Sequence, residues 1–224
     1  MDARRLDDPK VQAQIEIMER QLCSDHSGEF DRSQVEEVMR DSVERVLATA
    51  TVFEFVPLMA YRFSRERLNA IKRSRGEESE ATWDVVFVSL SGGGRGQLAA
   101  ALTSVLSEKR VSVHSAGTAV RADIDPQVRE AIAELGLDPD QEFVRPVTDE
   151  VLHGADVVVT MGHSVGVIAI PDDVRHEDWR IGDPIGAPME EIRRVRADIE
   201  YRVRALLSDL GVVKAETRAA GSPA

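Results

Sequence analysis

The sequence predicts an α/β fold, a doubly wound four-stranded parallel sheet, preceded by a small three-helix bundle. Three observations lead there. Residues 9 to about 73 carry helical periodicity and no convincing strand pattern. From residue 84 onward, short apolar runs alternate with helical patterns, which indicates a parallel sheet with crossover helices. The first of those runs ends in Gly92-Gly93-Gly94 before a helix begins, and open α/β sheets bind ligands at such carboxyl ends of strands.

In the N-terminal part, Val11, Ile15, Met18 and Leu22 form one apolar stripe, broken by Asp25-His26-Ser27-Gly28. Asp31 and Ser33 offer N-caps, and Ser33 with Glu36 has the spacing of a capping box. Val35, Val38, Met39, Val43, Val46 and Leu47 make the second stripe. Pro57 opens a third helix carrying Leu58, Tyr61, Leu68 and Ile71. A bundle this small is marginal alone, so dimerisation through its remaining apolar surface is expected. Arg62, Arg65, Arg67, Lys72, Arg73 and Arg75 make the third helix basic. In an otherwise acidic chain they read as a solvated face rather than a nucleic-acid recognition helix.

A polar, aperiodic stretch follows, and then the texture changes. Asp84-Val85-Val86-Phe87-Val88 reads as the first strand, and Leu98, Ala101, Leu102, Val105 and Leu106 as the helix after the glycines. Val111-Ser112-Val113-His114 is the second strand, Pro126 to Leu135 a helix ended by Gly136, and Asp156 to Met161 the third strand. A weaker fourth strand lies at Glu177 to Ile181, and a long helix runs from about Met189 to Leu210. The resulting division is a three-helix module at 1–75, a linker at 76–83, an α/β domain at 84–213 and a flexible tail at 214–224.

The chain has 224 residues, with 28 Lys+Arg against 40 Asp+Glu and a net charge of −12. That balance disfavours non-specific binding to nucleic acid. No apolar run approaches the ~18 residues of a membrane span, and Met1 to Lys10 has no signal-peptide core, so the cytoplasm is the expected compartment. The one cysteine, Cys23, excludes an intramolecular disulfide and a multi-cysteine zinc site, and it reads as a small, partly buried core residue. His114, His153, His163 and His176 lack metal-ligand spacing, so neither a metal nor a cofactor is expected.

The most informative segment runs from Val85 to Gln97. A strand enters a Gly-rich loop and a helix leaves it, so backbone N–H groups and a helix N-terminus can face an anion that Arg95 grips bidentately. A mononucleotide P-loop would need Lys-Ser/Thr after the glycines, and none is present. A dinucleotide fingerprint would need a third glycine where Gln97 stands. The remaining reading is a site for a tetrahedral oxyanion, held by Ser89, Leu90, Ser91, Gly92, Gly93, Gly94, Arg95 and Gly96.

The Ser89-to-Arg95 spacing is that of the C-x5-R loop, and the α/β domain resembles the low-molecular-weight protein tyrosine phosphatases and related arsenate reductases. Ser115-Ala116-Gly117-Thr118 is similar to their S-A-G-T segment. Pro146 to Leu152, Ala155 to Gly162, Asp178-Trp179, Asp183-Pro184 and the helix from Arg193 to Leu206 resemble the rest in order and spacing. The helical part resembles a dimerisation module fused to some bacterial arsenate-reductase-like proteins. The resemblance implies a flavodoxin-like sheet, a homodimer, a phosphate, arsenate or other small oxyanion ligand, and catalytic positions at Ser89, Arg95 and Asp183, the last as general acid. It also implies that Trp179 packs the acid loop against the sheet.

In that family the first loop position is a cysteine thiolate, whereas this chain has Ser89. The loop asparagine is replaced by Gly92, and the serine after the arginine by Gly96. A serine hydroxyl is far more basic than a thiol and needs an adjacent base, for which His114 or His163 are candidates only if the fold brings them near. The α/β segment holds no cysteine for a thiol relay. The expectation is therefore an oxyanion-binding, phosphatase-like protein without Cys-dependent turnover. The alternatives are an active or repurposed enzyme using Ser89 and Asp183, and a structural or regulatory dimer with a vestigial site.

Overall fold

The caps set the N-terminal helices. A computed structural model describes residues 8–50, 53–77, 83–120, 124–139, 144–162 and 168–213. The tail from 214, most of the expected linker and His163 lie outside them. In α1 (Pro9–Asp25), the Asp8 side chain accepts the Lys10 N–H at 2.9 Å. α2 (Arg32–Leu47) starts at the first candidate cap, Asp31, and Gln34 Oε1 accepts the Asp31 N–H at 3.1 Å. The Ser33/Glu36 box does not form, because capping geometry counts from Asp31 and makes Ser33 the second residue of the helix. Glu36 instead pairs with Arg32 at 2.6 Å. A short 3-10 turn (Phe53–Phe55) leads into α3 (Val56–Ser74). Leu22, Val35, Met39, Val43, Val46, Val56, Ala60, Phe63 and Leu68 form the core among these helices, with Cys23 partly buried at its edge.

The α/β half contains β1 (Trp83–Ser89), α4 (Arg95–Leu106), β2 (Val111–Gly117), α5 (Pro126–Ala133), α6 (Asp149–His153), β3 (Val157–Met161), β4 (Arg175–Trp179) and α7 (Met189–Asp209). The four strands form one parallel sheet in the order β2-β1-β3-β4. β2 extends three residues past the predicted end, because Ser115, Ala116 and Gly117 pair with Phe87, Val88 and Ser89 of the central strand. β4 lies two residues earlier than predicted. It is an edge strand of mostly exposed, charged residues, so its hydrophobic pattern is weak. α6 has no apolar repeat long enough to read from sequence.

Both faces of β1 are buried, which is why its sequence is a continuous apolar run. Val85 and Phe87 face a core shared with α4, α5 and α7, and Trp179 packs 5.6 Å from the Phe87 ring. Val86, Val88 and Val158 face Val151, Leu152 and Ala70, and Ala70 belongs to α3. The third N-terminal helix therefore covers part of the second face of the sheet. It approaches so closely that a Cβ on Gly154 would lie 2.5 Å from the Ala70 carbonyl oxygen.

This docking overturns the expectation of a solvated basic face on α3 for Arg67 and Arg73, while Arg65 and Arg75 are exposed. Arg67 is buried and donates to Asp41 (2.6 Å), Ser42 (3.0 Å) and Glu150 (2.7 Å). Arg73 donates to the Gly154 carbonyl and pairs with buried Asp84 at 2.6 Å. Lys72 meets Glu29, and Arg75 stacks over Phe30. The acidic partners lie in other elements, so the local charge run could not reveal them. Among the described residues, no helix is long and apolar enough to cross a membrane.

Candidate functional site

β1 delivers Ser89 to the carboxyl edge of the sheet, at the switch point between β1 and β3 where the strand order reverses. Its side chain is buried, at 2% exposure, and its Oγ accepts the Gly92 N–H at 3.1 Å. Gly92 adopts φ +73°, which lets the loop reverse, and Gly93 N–H reaches Ser91 Oγ at 3.4 Å. α4 then begins at Arg95 with no side chain capping it. The N–H groups at the start of a helix lack intrahelical acceptors; the Gln97 N–H donates to the Gly94 carbonyl at 3.1 Å, and the uncapped start leaves those of Arg95 and Gly96 for a ligand.

The Arg95 guanidinium is 5% exposed. Nη1 donates to the Ile181 carbonyl at 2.9 Å, and Nη2 lies 3.6 Å from Asp183 Oδ2. Gly162, at the end of β3, makes room for it, since a Cβ there would lie 2.7–2.9 Å from the guanidinium atoms. Arg95 Nε is buried without a hydrogen-bond partner among the described residues, a donor that an anion could satisfy. Asp183 is partly exposed and accepts the Ile185 N–H at 3.3 Å; its Oδ1 lies 3.2 Å from where a Cβ on Gly94 would be. The structure thus brings Ser89, Arg95, Asp183 and the glycines together around one loop.

Two residues beside the loop escaped the sequence reading, one of which braces it. Gln97, fully buried, donates from Nε2 to the Gly92 carbonyl at 3.0 Å and so ties the loop to the first turn of α4. Ser115 has a buried Oγ without a hydrogen-bond partner among the described residues, 2.6 Å from the place a Cβ on Gly96 would occupy; that place is itself 3.5 Å from Ser89 Oγ. Glycine at 96 leaves this space to the Ser115 hydroxyl. The only signal for either residue was its place in a motif.

His114 is not a base for Ser89. It sits in mid-strand, donating to Asp84 Oδ2 at 3.1 Å and lying 3.7 Å from Glu66 Oε2. Burial acts to lower its pKa, but the Asp84 and Glu66 carboxylates outweigh it and raise the imidazole to about 9. Among the described residues, no group of three or more His, Cys, Asp or Glu side chains is placed to hold a metal.

The pattern of the low molecular weight phosphotyrosine protein phosphatases matches residues 84–217, more than half of the chain. The chain belongs to this family. Residues 16–72 match the N-terminal domain of protein-tyrosine-phosphatase-like proteins, so the family's fold here carries a helical extension with its own relatives. A putative arsenate reductase of Halobacterium salinarum is 34% identical over 131 residues, 56% of this chain and 91% of that protein. The thioredoxin-dependent arsenate reductase Cg_ArsC1' of Corynebacterium glutamicum superposes with a TM-score of 0.78 at 26% identity, over 88% of this chain and 96% of that one. A cysteine-to-serine mutant of the YwlE arginine phosphatase, with its active-site serine phosphorylated, superposes with a TM-score of 0.51 at 26% identity, over 57% of this chain and 95% of that one.

Proposed function

We propose that this family member captures a tetrahedral oxyanion (phosphate, arsenate or a phosphorylated ligand) in the Ser89–Gly96 loop and does so without Cys-dependent turnover. The observation that carries the reading is the buried Arg95 guanidinium, with its unpartnered Nε, beside the uncapped start of α4. Ser89 is neutral where a thiolate would be charged, so the pocket has one negative charge fewer to repel a dianion. Isothermal calorimetry with inorganic phosphate tests this. Binding that is lost in Arg95→Ala is the expected result, and no binding at millimolar phosphate sinks the reading.

A second reading draws on the phosphorylated serine of the YwlE mutant. Ser89 Oγ would bond to phosphorus as the ester P–O bond breaks, with Asp183 protonating the departing oxygen and the serine proton passing to a phosphoryl oxygen of the substrate. The product is a phosphoserine and a free alcohol. Mass spectrometry after incubation with an aryl phosphate would find one phosphoryl group on Ser89; an unmodified chain would reject it.

The chain as a homodimer is part of the same proposal. Ile17, Phe55 and Leu58 are exposed apolar side chains grouped between α1 and the start of α3. Sedimentation should show a dimer that Phe55→Asp converts to a monomer.

A further inference from the structure

The helical extension touches the anion loop through a relay that the oxyanion reading leaves unused. On α3, Glu66 points at the α/β half, and its Oε1 pairs with Arg145 Nη1. Both side chains are largely withdrawn from water, at 21% and 7% exposure. Arg145 lies in the α/β half, in the segment before α6 that bridges to the end of β2 at Pro146. Its carbonyl accepts the Gly117 N–H at 2.9 Å, and the Val147 N–H donates back to the Gly117 carbonyl at 3.0 Å.

Gly117 ends β2, and the anion loop rests on it. A Cβ on Gly117 would lie 2.8 Å from the Ser91 carbonyl carbon. One on Gly92 would lie 3.0 Å from both Gly117 N and Val144 Cγ1. Beyond this contact, Thr118 N–H donates to the Ser89 carbonyl at 3.1 Å and Ala119 N–H to the Leu90 carbonyl at 2.8 Å. Such packing leaves little slack, so a shift of the 144–147 segment must be felt by the loop.

Among the described residues, the other ionic contacts between α3 and the α/β half land away from the loop. Glu66 Oε2 lies 3.7 Å from His114 in the middle of β2, Arg73 reaches Asp84 at the far end of β1, and Arg67 reaches Glu150 on α6. The Glu66–Arg145 pair lands on the segment that supports the loop.

We propose that Glu66 is a positioning residue for the oxyanion site: its ion pair with Arg145 holds the 144–147 segment and Gly117 against Ser91 and Gly92, so that the helical extension sets the affinity of the loop. This deepens the oxyanion reading and rests on it. The sign of the effect separates positioning from charge. Removing a carboxylate near an anion site tightens binding by Coulomb attraction alone. Removing a positioning contact loosens it, because loop N–H groups no longer held in place must be ordered by the ligand.

Calorimetry with inorganic phosphate on the full chain makes the comparison at a temperature well below all melting midpoints. Glu66→Gln should weaken phosphate binding by about tenfold. Arg67→Gln, which breaks the ion pair from the same helix to Glu150 and shares no partner with Glu66, should leave it within about twofold while lowering the melting temperature. Unchanged or tighter binding in Glu66→Gln overturns the proposal. Should Glu66→Gln fail to fold, Glu66→Asp keeps the charge but shortens the reach, and it too must bind phosphate more weakly. If the unaltered chain binds no phosphate, the oxyanion reading fails separately, and amide hydrogen exchange then decides the relay. Exchange at the Gly117 N–H should speed up in Glu66→Gln relative to the unaltered chain, and an unchanged rate overturns the relay.

Discussion

Arg95 owes its burial to glycine at position 162. The guanidinium fills the space a side chain there would claim, and Gly162 also sits at φ +87°, where an L-residue is strained by about 1–2 kcal/mol. Gly162→Ala should therefore do two things at once. It should lower the unfolding free energy in urea by about that strain, and it should weaken phosphate binding in calorimetry, because the methyl displaces the guanidinium from its tether on Ile181. A variant that loses stability but keeps its affinity would show that Arg95 does not grip the anion. Arg95, Ser89 and the glycines were legible in the sequence because they form one contiguous turn whose spacing has a physical meaning. Gly162, Ser115 and Gln97 were not assigned roles, because their partners lie on other strands or across the loop and only the folded chain brings them together.

α3 and the strands beside it show the same limit over a longer range. The apolar stripe of this helix was readable, and so was its charge. What its charges do was not, since Arg67 and Arg73 find their acids on α2, α6 and β1. Where α3 meets the sheet, Glu66, His114 and Asp84 form a buried charged cluster completed by Arg145 and Arg73. Its pH behaviour follows from two shifts. Glu66, penalised by burial but more strongly favoured by Arg145 and His114, is lowered to about 2, so its contribution is complete above the ordinary carboxylate range and lost as pH falls toward 2. His114 is raised to about 9, above its unfolded value, so its contribution is complete below about pH 6.5 and lost as pH rises through 9. The melting temperature should accordingly fall between pH 7 and pH 10, and the fall should flatten in His114→Gln when both proteins are followed by circular dichroism. An equal slope in the two proteins would place the titration elsewhere.

On the proposed oxyanion reading, a chain with a net charge of −12 attracts its ligand locally, through the loop N–H groups and Arg95 rather than through the overall field. The parallel sheet was legible because each buried strand is a short run of β-branched residues between helical patterns. The joint between the two halves was not, because it depends on a single helix belonging to both. Val56, Ala60, Phe63 and Leu68 of α3 lie in the bundle core, and Ala70 of the same helix lies in the core against the sheet. Such sharing couples the two halves thermodynamically. Melting the bundle strips cover from Val86, Val88 and Val158, and melting the sheet removes the surface on which the end of α3 rests. Differential scanning calorimetry should record one endotherm whose calorimetric and van 't Hoff enthalpies agree, and two resolved endotherms would refute the coupling. A chain assembled from two recognisable parts would then have no folded state in which only one part is present, and any change that loosens one end of α3 would be registered as a loss of stability at the other.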